Sequence, residues 1–375
     1  MNFENIRKEF PVTDEIIFFD HARVAPLPDR VRKAVTAFVD DATQFGTHHY
    51  EAWILELERT RKKFARLINA DIDEVAFVKN TSEGISIVAN GFDWQPGDNV
   101  VIPDIEFPAN VYPWWNLKQR GVETRMVKSF EGKVLFDDLV KQVDDRTRML
   151  SISSVECNSG FRSDLNRIGA FCKDKGILFF VDAIQSLGVL PMDVKKDHID
   201  FLSADGHKWM LSVEGLGGFY ISKEVVEKIR PVTMGWGNVV NAENFMDYDF
   251  TLKKDAKKFE EGTPNTMSIH AFGAALDLLL EVGIGNIENR VMELGDCILT
   301  ELNRRDIRVY SSTLPEERSG NISFVLNKDG LYAFMLENKV KLTVRDGLVR
   351  LSPHFYNNED EILKVFDLLD GYLKK

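Results

Sequence analysis

Apolar positions along the chain fall into two textures. Val31, Val35, Phe38, Val39 and Ala42 recur at helical spacing behind Pro28-Asp29, which reads as a helix start. Trp53, Leu57, Phe64, Leu67 and Ile68 predict a second, longer helix. Short apolar runs at 75–78, 99–102, 150–153, 177–181, 201–203 and 217–221 then alternate with amphipathic segments. Runs that are apolar on both faces and separated by crossover helices are what buried strands of a mostly parallel sheet look like. After residue 265 the texture changes. Helical patterns at 271–282 and 287–304 precede strand-like pieces at 322–325 and 340–344, and a helix from 358 to 372 follows. The pattern predicts an α/β fold: a large domain with a mostly parallel sheet over residues 15–265, and a smaller α+β domain from 1–14 and 266–375.

In open α/β sheets ligands sit beyond the carboxyl ends of the strands. Here those ends are polar. The first run is followed by Asn80-Thr81-Ser82-Glu83-Gly84, the next by Glu106-Phe107, and the third by Glu156-Cys157-Asn158. Val181 leads into Asp182 and Gln185, and Ser203 into Asp205-Gly206-His207-Lys208. These ends are expected to converge on one cleft.

Composition narrows the classes. The chain of 375 residues is 44% hydrophobic and 28% charged, enough to bury a substantial core. Forty-seven Lys+Arg against 59 Asp+Glu leave a net charge of −12, which argues against a nucleic-acid partner. No apolar run reaches the roughly 18 residues that cross a bilayer, so no membrane partner is expected. Cys157, Cys172 and Cys297 have no CxxC spacing, and His48, His49, His198 and His270 form no ligand pattern; neither a disulfide framework nor a metal site is expected. A reduced, cytoplasmic protein is the reading. Glu214-Gly215-Leu216-Gly217-Gly218 precedes a strand and opens no helix, so it is not a dinucleotide loop.

An Asp at the end of an apolar strand, such as Asp182, must be paired or hydrogen-bonded, and on its own it reads as a helix cap. Lys208, at another strand end, is either a surface residue or a desolvated amine suited to Schiff-base chemistry. Together, Val181-Asp182-Ala183-Ile184-Gln185, Gly206-His207-Lys208-Trp209 and Glu214-Gly215-Leu216-Gly217 resemble the core signature of the class V aminotransferases. These are fold-type I enzymes dependent on pyridoxal 5′-phosphate (PLP), and the group includes cysteine desulfurases and isopenicillin N epimerase-like proteins. Asp20-His21-Ala22 with Pro26-Leu27-Pro28, Asn80 to Gly84, Glu106 to Asn110, Lys258 to Asn265 and Val349 to Asn357 are similar to further elements of the family in the same order.

The resemblance implies a role for each matched residue. Lys208 carries PLP as a Schiff base and moves the Cα proton, and Asp182 holds the pyridine nitrogen protonated. Gln185 hydrogen-bonds the phenolic oxygen, Thr81, Ser82 and His207 bind the phosphate, and Phe107 stacks on the ring. Arg350 clamps the substrate carboxylate, with Ala22 and Arg23 in the matched substrate loop. Gly262 and Thr263 reach the cofactor of a second subunit, so a homodimer with shared sites is implied. Where many relatives have Asn near the phenolic oxygen this chain has Cys157, and where many have Ser or Thr before the lysine it has Asp205, expected to face away or to orient His207.

The expected activity is formation of a Cα carbanion on an amino-acid substrate, aminotransferase-like or C–S lyase. A cysteine desulfurase is the alternative within the fold, and a catalytically silent binding or regulatory protein the alternative outside it. Desulfurases of the family carry a cysteine on a mobile loop upstream of the carboxylate-binding arginine. The stretch from Val340 to Gly347 contains none.

Overall fold

The computed structural model describes residues 3–374. Two short helices, α1 (Phe3–Arg7) and α2 (Val12–Glu15), lead to a two-residue strand, β1 (Ile17–Phe18). Two long helices follow, α3 (Asp29–Phe45) and α4 (Tyr50–Leu67), the first opening behind Pro28 as the sequence predicts.

The large sheet begins with β2 (Val75–Val78), followed by α5 (Thr81–Gly91), β3 (Asn99–Pro103), α6 (Tyr112–Trp115) and β4 (Glu123–Val127). It continues through α7 (Phe136–Lys141), β5 (Thr147–Ser153), α8 (Leu165–Lys175), β6 (Leu178–Asp182), β7 (Phe201–Asp205) and β8 (Gly217–Ile221). The seven strands lie in the order β2-β8-β7-β6-β5-β3-β4, parallel except that β8 runs antiparallel to both its neighbours. Strands β2, β3, β6, β7 and β8 are buried along their whole length, which is why each reads as an unbroken apolar run. The edge strand β4, Glu-Thr-Arg-Met-Val, is buried only at Val127 and gave no such signal.

The chain then forms α9 (Thr266–Val282), α10 (Ile284–Arg304), β9 (Ile322–Val325), α11 (Leu331–Glu337), β10 (Val340–Lys341), β11 (Thr343–Arg345), β12 (Leu348–Leu351) and α12 (Glu359–Leu373). Strands β11, β12 and β9 make a small antiparallel sheet, and β1 pairs in parallel with β10. Packing redraws the expected division. Ile269, Phe272, Leu276 and Leu279 of α9 share the core of Val75, Val181 and Leu202, so a boundary at residue 265 would cut α9 from the core it fills. Ile17 and Phe19, in turn, sit with Leu294, Ile298, Phe324, Leu351 and Phe366 in the smaller core. Among the described residues no single helix is long and apolar enough to cross a membrane; α9 and α10 pass together on composition but meet at 78°.

Candidate active site

The carboxyl ends of β2, β3, β5, β6 and β7 open into one cavity of about 690 Å³. Thr81, Ser82, Phe107, Asp182, His207 and Lys208 line it, joined by Ala22 and Arg23 from the loop after β1 and by Arg350 from β12. The strand-end convergence expected from the sequence is therefore present.

Lys208 follows β7 in a turn held from several sides. Ala25 donates its N–H to the His207 carbonyl (2.9 Å), and His354 Nε2–H donates to the Trp209 carbonyl (3.0 Å). Lys208 is buried as a residue, and its amine, which opens on the cavity, has no hydrogen-bond partner among the described residues; it lies 5.6 Å from the centroid of the Phe107 ring. Burial pushes its pKa down, with Arg350 adding to the shift and the carboxylate of Asp182 opposing it. Asp182 ends β6, and its Oδ1 accepts from the Ile184 N–H at 3.0 Å. Burial raises its carboxyl to about 6, offset by that N–H and by Lys208.

The opposite end of the cavity is the start of α5. Asn80 caps the helix by accepting the Glu83 N–H at 3.0 Å, leaving the N–H groups of the first turn toward the cavity. Gly84 lets that turn press on β7: a Cβ there would fall 2.2 Å from Ser203 Oγ. Thr81 Oγ1 accepts the Asp205 N–H (3.1 Å), and His207 Nδ1 lies 3.0 Å from Asp205 Oδ1. Neither atom has a hydrogen-bond partner among the described residues, so the contact is a proximity of charge only, and Asp205 lines the cavity and does not face away from it. A helix N-terminus with hydroxyls and an imidazole is an anion site.

Two acids lie under the floor. Glu106 accepts from the N–H and the hydroxyl of Ser153, both at 2.6 Å, and burial raises its carboxyl to about 8. Glu156 is fully buried with neither oxygen hydrogen-bonded, and burial, with Glu106 nearby, holds its pKa well above the ordinary value.

Arg350 is buried at the far wall. It donates through Nη1 to the Cys157 carbonyl (2.8 Å), with Cys157 Sγ at 3.5 Å, while Nη2 lies 3.6 Å from Asp20 Oδ1. Its Nε has no partner. Above it, β11 and β12 pair Thr343 with Arg350 and Arg345 with Leu348, leaving Asp346-Gly347 as a two-residue turn with φ of 52° and 77°. Both residues are left-handed, the backbone a type I′ hairpin requires.

Some expected contacts are absent. Gln185 does not line the cavity: its Nε2 donates to the Ala22 carbonyl (3.0 Å), and its Oε1 accepts from Trp209 Nε1 (3.0 Å) and Asn321 Nδ2 (3.3 Å). A buried carboxamide engaged at both ends braces the lysine turn, with one N–H of Nε2 still without a partner among the described residues. Gly262 and Thr263 also lie away from this cavity, Thr263 being exposed. Asn158 lines it as its strand end predicts, and residues the motifs did not single out complete the walls: Ser323, Thr343 and Arg345. They come from chain segments far apart, so only the register of the small sheet could have assembled them.

The residues present fit PLP. An unpartnered amine on a buried lysine, a carboxylate, an open aromatic face and a helix N-terminus match its aldehyde, ring nitrogen, ring and phosphate. The family model for class V aminotransferases matches residues 17–365. A probable cysteine desulfurase of Methanothermobacter thermautotrophicus is 31% identical, over 99% of this chain and 98% of its own. A probable cysteine desulfurase of Pyrococcus abyssi is 28% identical over 99% and 98%. Among solved structures, the apo cysteine desulfurase of Thermococcus onnurineus superposes with a TM-score of 0.89 at 25% identity, covering 99% of this chain and 98% of that one.

Proposed function

Because the chain belongs to the class V aminotransferase family and is a PLP-dependent enzyme, we propose that Lys208, Asp182 and Arg350 form the centre where it removes the Cα proton of an amino-acid substrate. One observation carries the reading: the unpartnered amine of Lys208 shares a cavity with the Asp182 carboxylate and the open face of Phe107. PLP, when bound, supplies an electron sink for the charge left at Cα.

The protein's own groups do the rest. Lys208 is the point of covalent attachment, and its lowered pKa keeps a larger share of the free amine neutral and able to take the proton. Asp182, ionised above about pH 6, holds a proton on the ring nitrogen. Thr81, Ser82 and His207 hold the phosphate, and Arg350 orients the substrate carboxylate, with Ala22 and Arg23 beside it. Cofactor absorbance of the purified protein, with borohydride fixation and peptide mapping, tests the assignment. The fixed cofactor is expected on the peptide containing Lys208; any other peptide overturns it.

Transamination or C–S bond cleavage follows from the same proton removal. A cysteine desulfurase is the second reading, favoured by the names of the relatives. We also infer a homodimer with shared sites. Phe245, Met246, Tyr248 and Phe250 are exposed, with Met246 at 92% and Tyr248 at 97%, an apolar run that a second copy would cover. Gly262 and Thr263 would then meet the partner's cofactor. The large domain runs through α9, with β1 and the elements from α10 onward forming the smaller one. The three unpaired cysteines support a cytoplasmic location.

A further inference from the structure

The cavity has two cationic poles. The deep one is Arg350, buried, with an unpartnered Nε. The other is at the mouth. Arg23, on the loop after β1, is exposed and lines the cavity, and its guanidinium has no ion pair or hydrogen bond among the described residues. Arg345, on β11, borders the same cavity; its one ion pair is with Asp346, the next residue, at 3.1 Å, and both side chains are exposed. A pair that exposed neutralises little. The chain as a whole carries a net charge of −12, so two arginines facing one opening do not follow from a generally basic surface.

A small neutral amino acid would use only the deep pole. On the proposed function the cofactor would occupy the part of the cavity lined by Thr81, Phe107, Asp182 and Lys208, leaving the part bordered by Arg23, Arg345 and Arg350 to the substrate. Resting on the proposed function, the geometry points to an amino-acid substrate whose side chain ends in an anion, its α-carboxylate on Arg350 and its distal anion on Arg23 and Arg345. A guanidinium offers paired donors to a carboxylate, and a hydrogen bond to a charged group stabilises more than one to a neutral amide. At a solvent-open mouth that advantage is partly screened, so it should depend on salt. The two arginines also raise the local concentration of anionic substrate at the opening.

The test uses the holoenzyme at neutral pH. Glutamate and glutamine, and aspartate and asparagine, are titrated while cofactor absorbance is followed; glutarate and butyrate are titrated by calorimetry, which needs no turnover. The acid of at least one pair is expected to half-saturate at a concentration about tenfold below its amide. Glutarate is expected to bind more tightly than butyrate. High salt, or the double variant Arg23→Gln/Arg345→Gln, should bring these ratios toward one. Equal response to acids and amides, or ratios the double variant leaves unchanged, overturns the inference while the proposed function stands. No absorbance change with any amino acid overturns both.

Discussion

Arg350 meets Cys157 twice, donating to its carbonyl at 2.8 Å and lying 3.5 Å from its sulfur. The only cysteine lining the cavity among the described residues is therefore tied to the arginine that would hold the substrate, and it sits in the turn that follows β5. The other two lie in helices, Cys172 buried in α8 with its thiol pushed up by burial, and Cys297 in α10.

Storage of sulfur as a persulfide on a mobile cysteine is thus not expected. After incubation with cysteine under non-reducing conditions, the intact protein should keep its mass, and any C–S cleavage should give pyruvate and ammonia. A reducible gain of one sulfur, with alanine as product, would establish the desulfurase reading. Cys157→Ser should change substrate affinity through Arg350 without abolishing turnover.

Arg350→Lys keeps the charge and loses the planar fork that now spans Cys157, Thr343 and the substrate side. Apparent affinity for amino acids should fall by about tenfold or more, with the cofactor spectrum retained. Unchanged affinity would move the carboxylate site to the mouth.

Asp182→Ala removes the charge beside the ring nitrogen. Turnover should fall by at least two factors of ten, each about 1.4 kcal/mol of barrier, with the fold intact by circular dichroism. In the unmodified enzyme the carboxyl, raised to about 6 by burial, should make activity decline as pH falls through that region. Near-normal turnover of the variant would contradict the role.

The buried acids make stability depend on pH. Glu106 is raised from 4.5 to about 8, so between those values the folded chain holds a proton that the unfolded chain has released. Its contribution is full below about 4.5 and is lost as pH rises through about 8. Glu156 acts in the same direction. The melting midpoint should drop across this window, by roughly 2–4 °C per kcal/mol for a domain of this general size. Glu106→Gln should flatten the drop; an unchanged slope would show that Glu106 ionises normally.

The strands that build the site were legible because burial on both faces leaves an unbroken apolar run, and the polar residues after each run marked the cleft. Edge strand β4 was not, since Glu123, Thr124 and Arg125 face solvent in part and carry no such pattern. Lys208 and Asp182 could be found from their strand ends. Gln185 could be placed near them, but sequence position does not say where a carboxamide points, and Trp209 and Asn321 draw it away. The boundary near residue 265 is hard to read because a largely buried helix such as α9 carries the same pattern in either domain.

The Asp346-Gly347 turn has no slack. Its strands are locked pair by pair from Thr343 opposite Arg350 to Arg345 opposite Leu348, and β12 is locked in turn to β9. A rim built this way cannot fold down over a captured molecule without breaking its ladder. On this side the opening has a fixed edge, so a hairpin that swings to carry a product elsewhere is not built into this part of the rim.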